Sequence, residues 1–293
     1  MLFARRTSVS VNVLVCVLTF YVAQGWGSEK QPKPIRTWDL RQYGYSTEQA
    51  YYSVAGFLSE NLLLVAINQR HISYPHPLSE DTPEATLVLF DMSNGVLLRK
   101  TRMPMLKANY SIAPVLEDQF LVLTSSEVKL CSAAFRCNQL FSTKGPLKVT
   151  RDRTRAVVGG NLMTQEVVLD LRTMAPATDT IQPATTSERC ERHYRDGSFA
   201  TCLSSVNDER LMVVEVKQTD WNKFTNPLAG FGDRPYNSQR ITVYDKRSGA
   251  ERFRLHWDPR KLGGSLTTLP ALSPTGHEVA LIRRGLLEVF EVP

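Results

Sequence analysis

Five histidines are the first residues to weigh for chemistry: His71, His76, His193, His256 and His277. Two of them, His71 and His76, sit in one stretch with Glu80, Asp81 and Glu84 close behind. Those residue types can ligate calcium or a transition metal, but their spacing matches no established ligand pattern. Solvated loop residues are the plainer expectation, and no metal site is assigned. The other histidines are far apart in sequence, and none is spaced to serve a neighbouring nucleophile. G-x-S-x-G, H-E-x-x-H, the phosphate-binding P-loop and G-x-G-x-x-G are all absent. No catalytic residue and no cofactor is therefore assigned.

Cysteine chemistry points to a compartment. Arg5 and Arg6 precede the apolar run Val9–Ala23, and Ala23 and Gly25 supply small residues at the positions a signal peptidase reads. The run is shorter than the roughly 20 apolar residues of a spanning helix and contains Ser10, Asn12 and Thr19. The expectation is a signal peptide over residues 1–25 and a linker over 26–34, with an uncleaved anchor as the alternative. After cleavage no stable membrane insertion is expected. Removing the signal removes Cys16 and leaves Cys131, Cys137, Cys190 and Cys202, an even set. In an oxidising compartment that suggests two bridges, the simplest pairing being Cys131–Cys137 and Cys190–Cys202. Secretion or a periplasmic location follows.

About 268 residues would remain, and 33 basic residues would stand against 29 acidic ones once Arg5 and Arg6 are gone. The basic residues are spread along the chain, so a nucleic-acid partner is not expected.

The elements that must position any site come from a repeat. Thr86–Asp91, Gln165–Asp170 and Arg240–Asp245 are apolar stretches ending in an acid and followed by a turn. Arg36–Leu40, Leu286–Glu291 and Glu127–Cys131 are weaker copies, the last with cysteine in the acid's place. Repetition at this spacing means one supersecondary unit copied around an array. The first unit reads as four antiparallel strands: Tyr51–Leu58, Leu62–Asn68, Thr86–Asp91 and, after the Ser93-Asn94-Gly95 turn, Val96–Met103. The second runs from Tyr110 to Ser142. The third begins at Pro146 and has an ill-marked return near Asp179–Gln182. The fourth spans Ser198–Trp257, with Ser248-Gly249 as a turn. The fifth has three strands only, ending at Val292. The orphan strand Ile35–Leu40 would complete it, since radial closure protects sheet edges. The expectation is an all-β chain: a single β-propeller over residues 35–293, with five four-stranded blades, six being the alternative. The repeated acids are expected to accept hydrogen bonds from turn N–H groups.

Leu58-Ser59-Glu60 and Leu272-Ser273-Pro274-Thr275-Gly276, each before an apolar strand, resemble the first turn of WD40-like bacterial propeller repeats. Phe90-Asp91…Gly95 and Tyr244-Asp245…Gly249 are similar to their third strand and turn. The resemblance covers residues 35–293 and implies the fold far more than a function. No Gly-His pair opens a blade, and Trp38-Asp39 alone matches the name-giving dipeptide. The tryptophan-docking motif of quinoprotein propellers is missing.

Two insertions interrupt the repeat, both between second and third strands: Gln69–Ala85 and Gln218–Gln239. The second holds Trp221, Phe224, Phe231 and Tyr236 beside Lys223 and Arg234, types that anchor protein interfaces. With His71 and His76 of the first insertion, these are the candidate binding residues. The expected function is an exported, non-enzymatic scaffold binding a protein or peptide through loops on one face. The alternative is a hydrolase or lyase acting on a sugar or lactone, with a divalent cation at the channel mouth.

Overall fold

Short apolar runs rich in Val, Leu and Ile, broken every few residues by Asp, Asn, Ser or Gly, can bury their side chains only by pairing edge to edge and stacking face to face. In the computed structural model they do both. It describes residues 31–45, 53–68, 84–104, 112–115, 118–123, 127–142, 147–150, 152–158, 167–177, 192–193, 199–217, 238–257 and 270–293.

The strands form five antiparallel sheets. Strand β1 (Arg36–Asp39) belongs to the last of them. Blade 1 is β2 (Val54–Ser59), β3 (Leu62–Asn68), β4 (Glu84–Asp91) and β5 (Val96–Pro104). Blade 2 is β6 (Ile112–Pro114), β7 (Gln119–Leu123), β8 (Glu127–Ser132) and β9 (Cys137–Ser142). Blade 3 is β10 (Leu147–Val149), β11 (Arg155–Val158), β12 (Val167–Asp170) and β13 (Ala175–Pro176). Blade 4 holds five strands: β14 (Arg192–His193), β15 (Phe199–Ser204), β16 (Arg210–Lys217), β17 (Ser238–Asp245) and β18 (Glu251–Trp257). Blade 5 is β19 (Ala271–Leu272), β20 (Glu278–Arg283) and β21 (Leu286–Glu291), completed by β1.

Closure occurs as the orphan strand implied. Arg36 pairs with Val289 and Asp39 with Leu286, and the Ile35 and Leu40 N–H groups donate to the Val289 and Gly285 carbonyls at 2.7 Å each. The Trp38 indole N–H, on β1, donates to the Gly95 carbonyl of blade 1 at 2.9 Å. Its ring lies 4.8 Å from Phe90, and Tyr43 meets Phe90 edge-on at 5.9 Å. Trp38 therefore ties the last blade to the first.

Two strand assignments differ from the sequence reading. Blade 3 returns at Ala175–Pro176, earlier than Asp179–Gln182, which lies outside the described residues. Its turn is marked by no glycine. Met174 takes the left-handed conformation (φ 55°) four residues after Asp170, where Gly95 and Gly249 stand in blades 1 and 4 (φ 72° and 71°). In blade 2 Phe135 does the same, at φ 58° and four residues after Cys131. The extra strand β14 is two residues long, too short to show an alternation.

Stacked faces make the core. Ala55, Phe57, Leu63, Val65, Ile67, Val88, Phe90 and Met92 of blade 1 pack with Ala271, Ala280, Ile282, Leu287 and Val289 of blade 5. Separate clusters join blades 1 and 2 around Phe120, blades 2 and 3 around Leu121, and blades 4 and 5 around Phe253 and Phe290. Inner strands β19, β2, β6 and β10 lie side by side. The predicted Cys131–Cys137 bridge is present, across the β8–β9 pair. Cys190, expected to pair with Cys202, lies outside the described residues.

Candidate functional site

Each acid that ends a third strand builds the turn after it. The Asp91 carboxylate accepts from the Ser93 N–H at 2.8 Å and the Ser93 hydroxyl at 2.6 Å. Asp170 accepts from the Arg172 and Thr173 N–H groups at 2.8 and 3.1 Å. Asp245 accepts from the Ser248 N–H and hydroxyl, both at 2.8 Å. The residue after the acid then donates back to the first turn of its own blade: Met92 to Asn61, Leu171 to Thr154 and Lys246 to Glu209, at 2.8, 2.8 and 2.9 Å. Both turns of these blades thus sit on one face of the ring.

Those first turns also meet across blades. The Val206 N–H of blade 4 donates to the Pro274 carbonyl of blade 5 at 2.8 Å. The Thr275 N–H of blade 5 donates to the Glu60 carboxylate of blade 1 at 2.6 Å. Arg153, in the blade 3 turn, sends its guanidinium to the Leu58 carbonyl of blade 1 at 2.9 Å. Burial lowers the Arg153 pKa to about 10, with the Glu60 charge opposing the shift, so the group remains cationic at neutral pH. On this face the first turns of blades 1, 3, 4 and 5 are tied together by hydrogen bonds.

Arg210 and Asp245 lie on the same face, the Arg210 Nε being buried without a partner among the described residues. They form an ion pair beside the blade 4 turn, and Gly276 (φ 80°) lies against the Arg210 stem so closely that a Cβ would fall 2.4 Å from its Cγ. The Asp245 carboxyl is held well below the ordinary range, chiefly by the Ser248 N–H and hydroxyl and then by Arg210. A carboxylate with a depressed folded pKa contributes stability that is present above its unfolded pKa and lost as pH falls below about 4. Urea midpoints taken at pH 6 and pH 3 should fall for the native protein, and Asp245→Asn should shrink that fall. An equal fall in both proteins would remove Asp245 from the acid response.

The opposite face carries the connections from second to third strands. In blade 5 this connection is the two residues Arg284-Gly285, both left-handed at φ 55° and 77°, as a type I′ hairpin turn requires. In blades 1 and 4 it runs through residues 69–83 and 218–237, fifteen and twenty residues. Both leave from the same face, because β3 and β16 are equivalent strands of their blades. All eight candidate residues, His71, His76, Trp221, Lys223, Phe224, Phe231, Arg234 and Tyr236, lie outside the described residues. The structure describes the roots of both insertions, at Asn68 and Glu84 and at Lys217 and Ser238.

His256 is exposed on β18, His277 is exposed ahead of β20, and they belong to different blades. Among the described residues no group of three or more His, Cys, Asp or Glu side chains is placed to hold a metal ion. A cavity of about 20 Å³ between Gly56, Leu64, Ile112 and Pro114 is apolar and has room for little more than one water. Sequence reasoning missed the Arg153–Leu58 and Glu60–Thr275 contacts. Nothing in the sequence signals them, because their partners lie 95 and 215 residues away; the left-handed residues Asp118, Arg153, Asp208 and Gly276 shape the first turns of blades 2 to 5.

No family model matches the chain, and no curated protein matches it. Among solved structures, a chain of the mitotic checkpoint complex aligns at TM-score 0.39 and 11% identity, covering 99% of this chain and 97% of that one. Hydrazine synthase of Kuenenia stuttgartiensis aligns at 0.38 and 11%, covering 88% and 76%. The β-propeller domain of Cps50 (Swd1) from Myceliophteria thermophila aligns at 0.34 and 12%, covering 82% and 83%. At such scores the likeness carries no functional weight. By its own strand pairing, the chain is a five-bladed β-propeller closed by its N-terminal strand.

Proposed function

We propose that this protein is an exported, non-enzymatic propeller whose insertion-bearing face binds a protein or peptide. The observation behind this reading is the contrast between connections. Two residues suffice in blade 5, whereas blades 1 and 4 spend fifteen and twenty on the same task. Long connections in compact domains are usually functional, and the longer one is rich in aromatics, which disordered segments lack. The turn face carries only short turns, several of them bonded to one another, and offers less to a partner. The Cys131–Cys137 bridge and the N-terminal Arg5-Arg6 and apolar run support export to an oxidising compartment, secreted or periplasmic.

Replacing residues 218–237 by Asn-Gly, after the pattern of Arg284-Gly285, should leave the melting temperature within about 3 °C. The same change should abolish crosslinking to the native partner in intact cells. Trp221→Ala and Phe224→Ala should each weaken that partner's affinity about tenfold or more, as buried aromatic anchors do. Unchanged crosslinking by the Asn-Gly variant would refute the proposal.

A further inference from the structure

The outer strand of blade 1 is unlike its counterpart in blade 4. The two align through their turns, Gly95 with Gly249, and each has one unpaired bulge residue, Leu98 in β5 and Arg252 in β18. Where Ala250 precedes β18 and Glu251 and Arg252 begin it, β5 begins with Val96, Leu97 and Leu98. These three are 47%, 41% and 46% exposed. Where β18 turns Phe253 inward to a buried position, β5 carries the exposed Arg99. The fold therefore does not require apolar residues at the first three positions, nor a basic one at the fourth.

Charge differs as well. In β18, Arg254 pairs with Glu251, and Arg252 lies 3.5 Å from Asp245. In β5, Arg99, Lys100 and Arg102 follow one another with no acid in the strand. Lys100 rests 5.7 Å from the Tyr43 ring, while Arg99 and Arg102 make no ion pair with any described residue. At nine residues β5 is the longest of the described strands, and β4 is its one neighbour among the described residues. A long edge with exposed apolar residues is what soluble proteins ordinarily blunt.

We infer that β5 is a strand-addition site for an extended acidic segment of a partner protein, with carboxylate side chains along one half and apolar side chains along the other. Its backbone pairs with the edge of β5 away from β4, its apolar stretch covers Val96, Leu97 and Leu98, and its consecutive carboxylates meet Arg99 on one face of the strand and Lys100 and Arg102 on the other. A second copy of this chain is a poor occupant. Two β5 strands pairing antiparallel about Arg99 would set Arg99 against Arg99 and oppose Lys100 and Arg102 to Leu98 and Val96, a like-charge pair flanked by mismatched pairs. This surface is separate from the insertion face, so either proposal can fail alone.

The test uses the purified protein and a fluorescent eight-residue peptide of four Glu followed by four Val, which matches β5 when paired antiparallel, followed by anisotropy and by hydrogen exchange. Saturable binding is expected, weakening with salt, with slowed exchange over Val96–Met103. Arg99→Glu/Arg102→Glu should weaken the peptide about tenfold and confer binding of the Val–Lys counterpart. Methylating alternate backbone nitrogens of the peptide should abolish binding, since this removes strand hydrogen bonds and leaves the charge. Retained affinity of the methylated peptide would overturn strand addition. So would an inert peptide, or vesicles of phosphatidylserine and phosphatidylcholine capturing the protein through Arg99 and Arg102 while the peptide does not bind.

Discussion

Deleting residues 31–45 should leave a chain with no cooperative unfolding transition. That segment supplies β1, which pairs with β21 over four residues, and Leu40, which is fully buried. It also supplies Trp38 and Tyr43, which flank Phe90. Losing a buried Leu costs about 2–5 kcal/mol and losing a packed Trp a similar amount. The strand pairing goes too, leaving the edge of β21 open. Together these losses approach the whole stability of an ordinary domain, about 5–15 kcal/mol. Urea unfolding followed by tryptophan fluorescence and circular dichroism would read the result. A cyclic permutant separates loss of the strand from loss of its chain position. Because Arg36 pairs with Val289, Pro293 and Lys33 can be joined through a short turn, with new ends opened at Ser93-Asn94. The permutant should regain a cooperative transition. A cooperative, native-like deletion variant would show that β1 does not close the ring.

Phe90→Ala should be the most damaging single substitution among those considered. Phe90 is fully buried, packs in the cluster shared by blades 1 and 5, and carries Trp38 on one side and Tyr43 on another. Its removal empties a site that the rigid sheets around it cannot collapse to fill, at a cost of about 3–5 kcal/mol. For a domain of this size that lowers the melting temperature by roughly 10 °C. Phe90→Leu should recover more than half of the loss, because it restores most of the volume. A melting temperature unchanged in Phe90→Ala would mean that blade 1 is not held through this contact.

Much of this scaffold was legible in the residues, and the reason is local. Asp91, Asp170 and Asp245 announce their turns because a carboxylate two or three residues ahead of a free N–H bonds it directly. The orphan strand at Ile35–Leu40 could be placed because a blade one strand short leaves an edge that only it can cover. Blade 3 was harder to read, since Met174 holds the conformation that glycine signals elsewhere. Arg153 reaching Leu58 was invisible, because its partner is a carbonyl 95 residues away and any residue type could have supplied one. Of the candidate site, the sequence showed where the repeat is interrupted and what the insertions contain. Exposure of Val96, Leu97 and Leu98 needed coordinates, because an apolar start to a strand reads as core.

The pairing of β1 with β21 also orders events in time. Synthesis runs from the N-terminus, so β1 emerges among the first strands and its partner, Leu286–Glu291, among the last. Until that partner exists, Trp38 has no finished blade behind it and the ring stays open, since non-local pairing must wait for both strands. A chain that cannot complete its own tertiary structure while being made remains threadable for that interval. Under the proposed export, late closure is a useful delay.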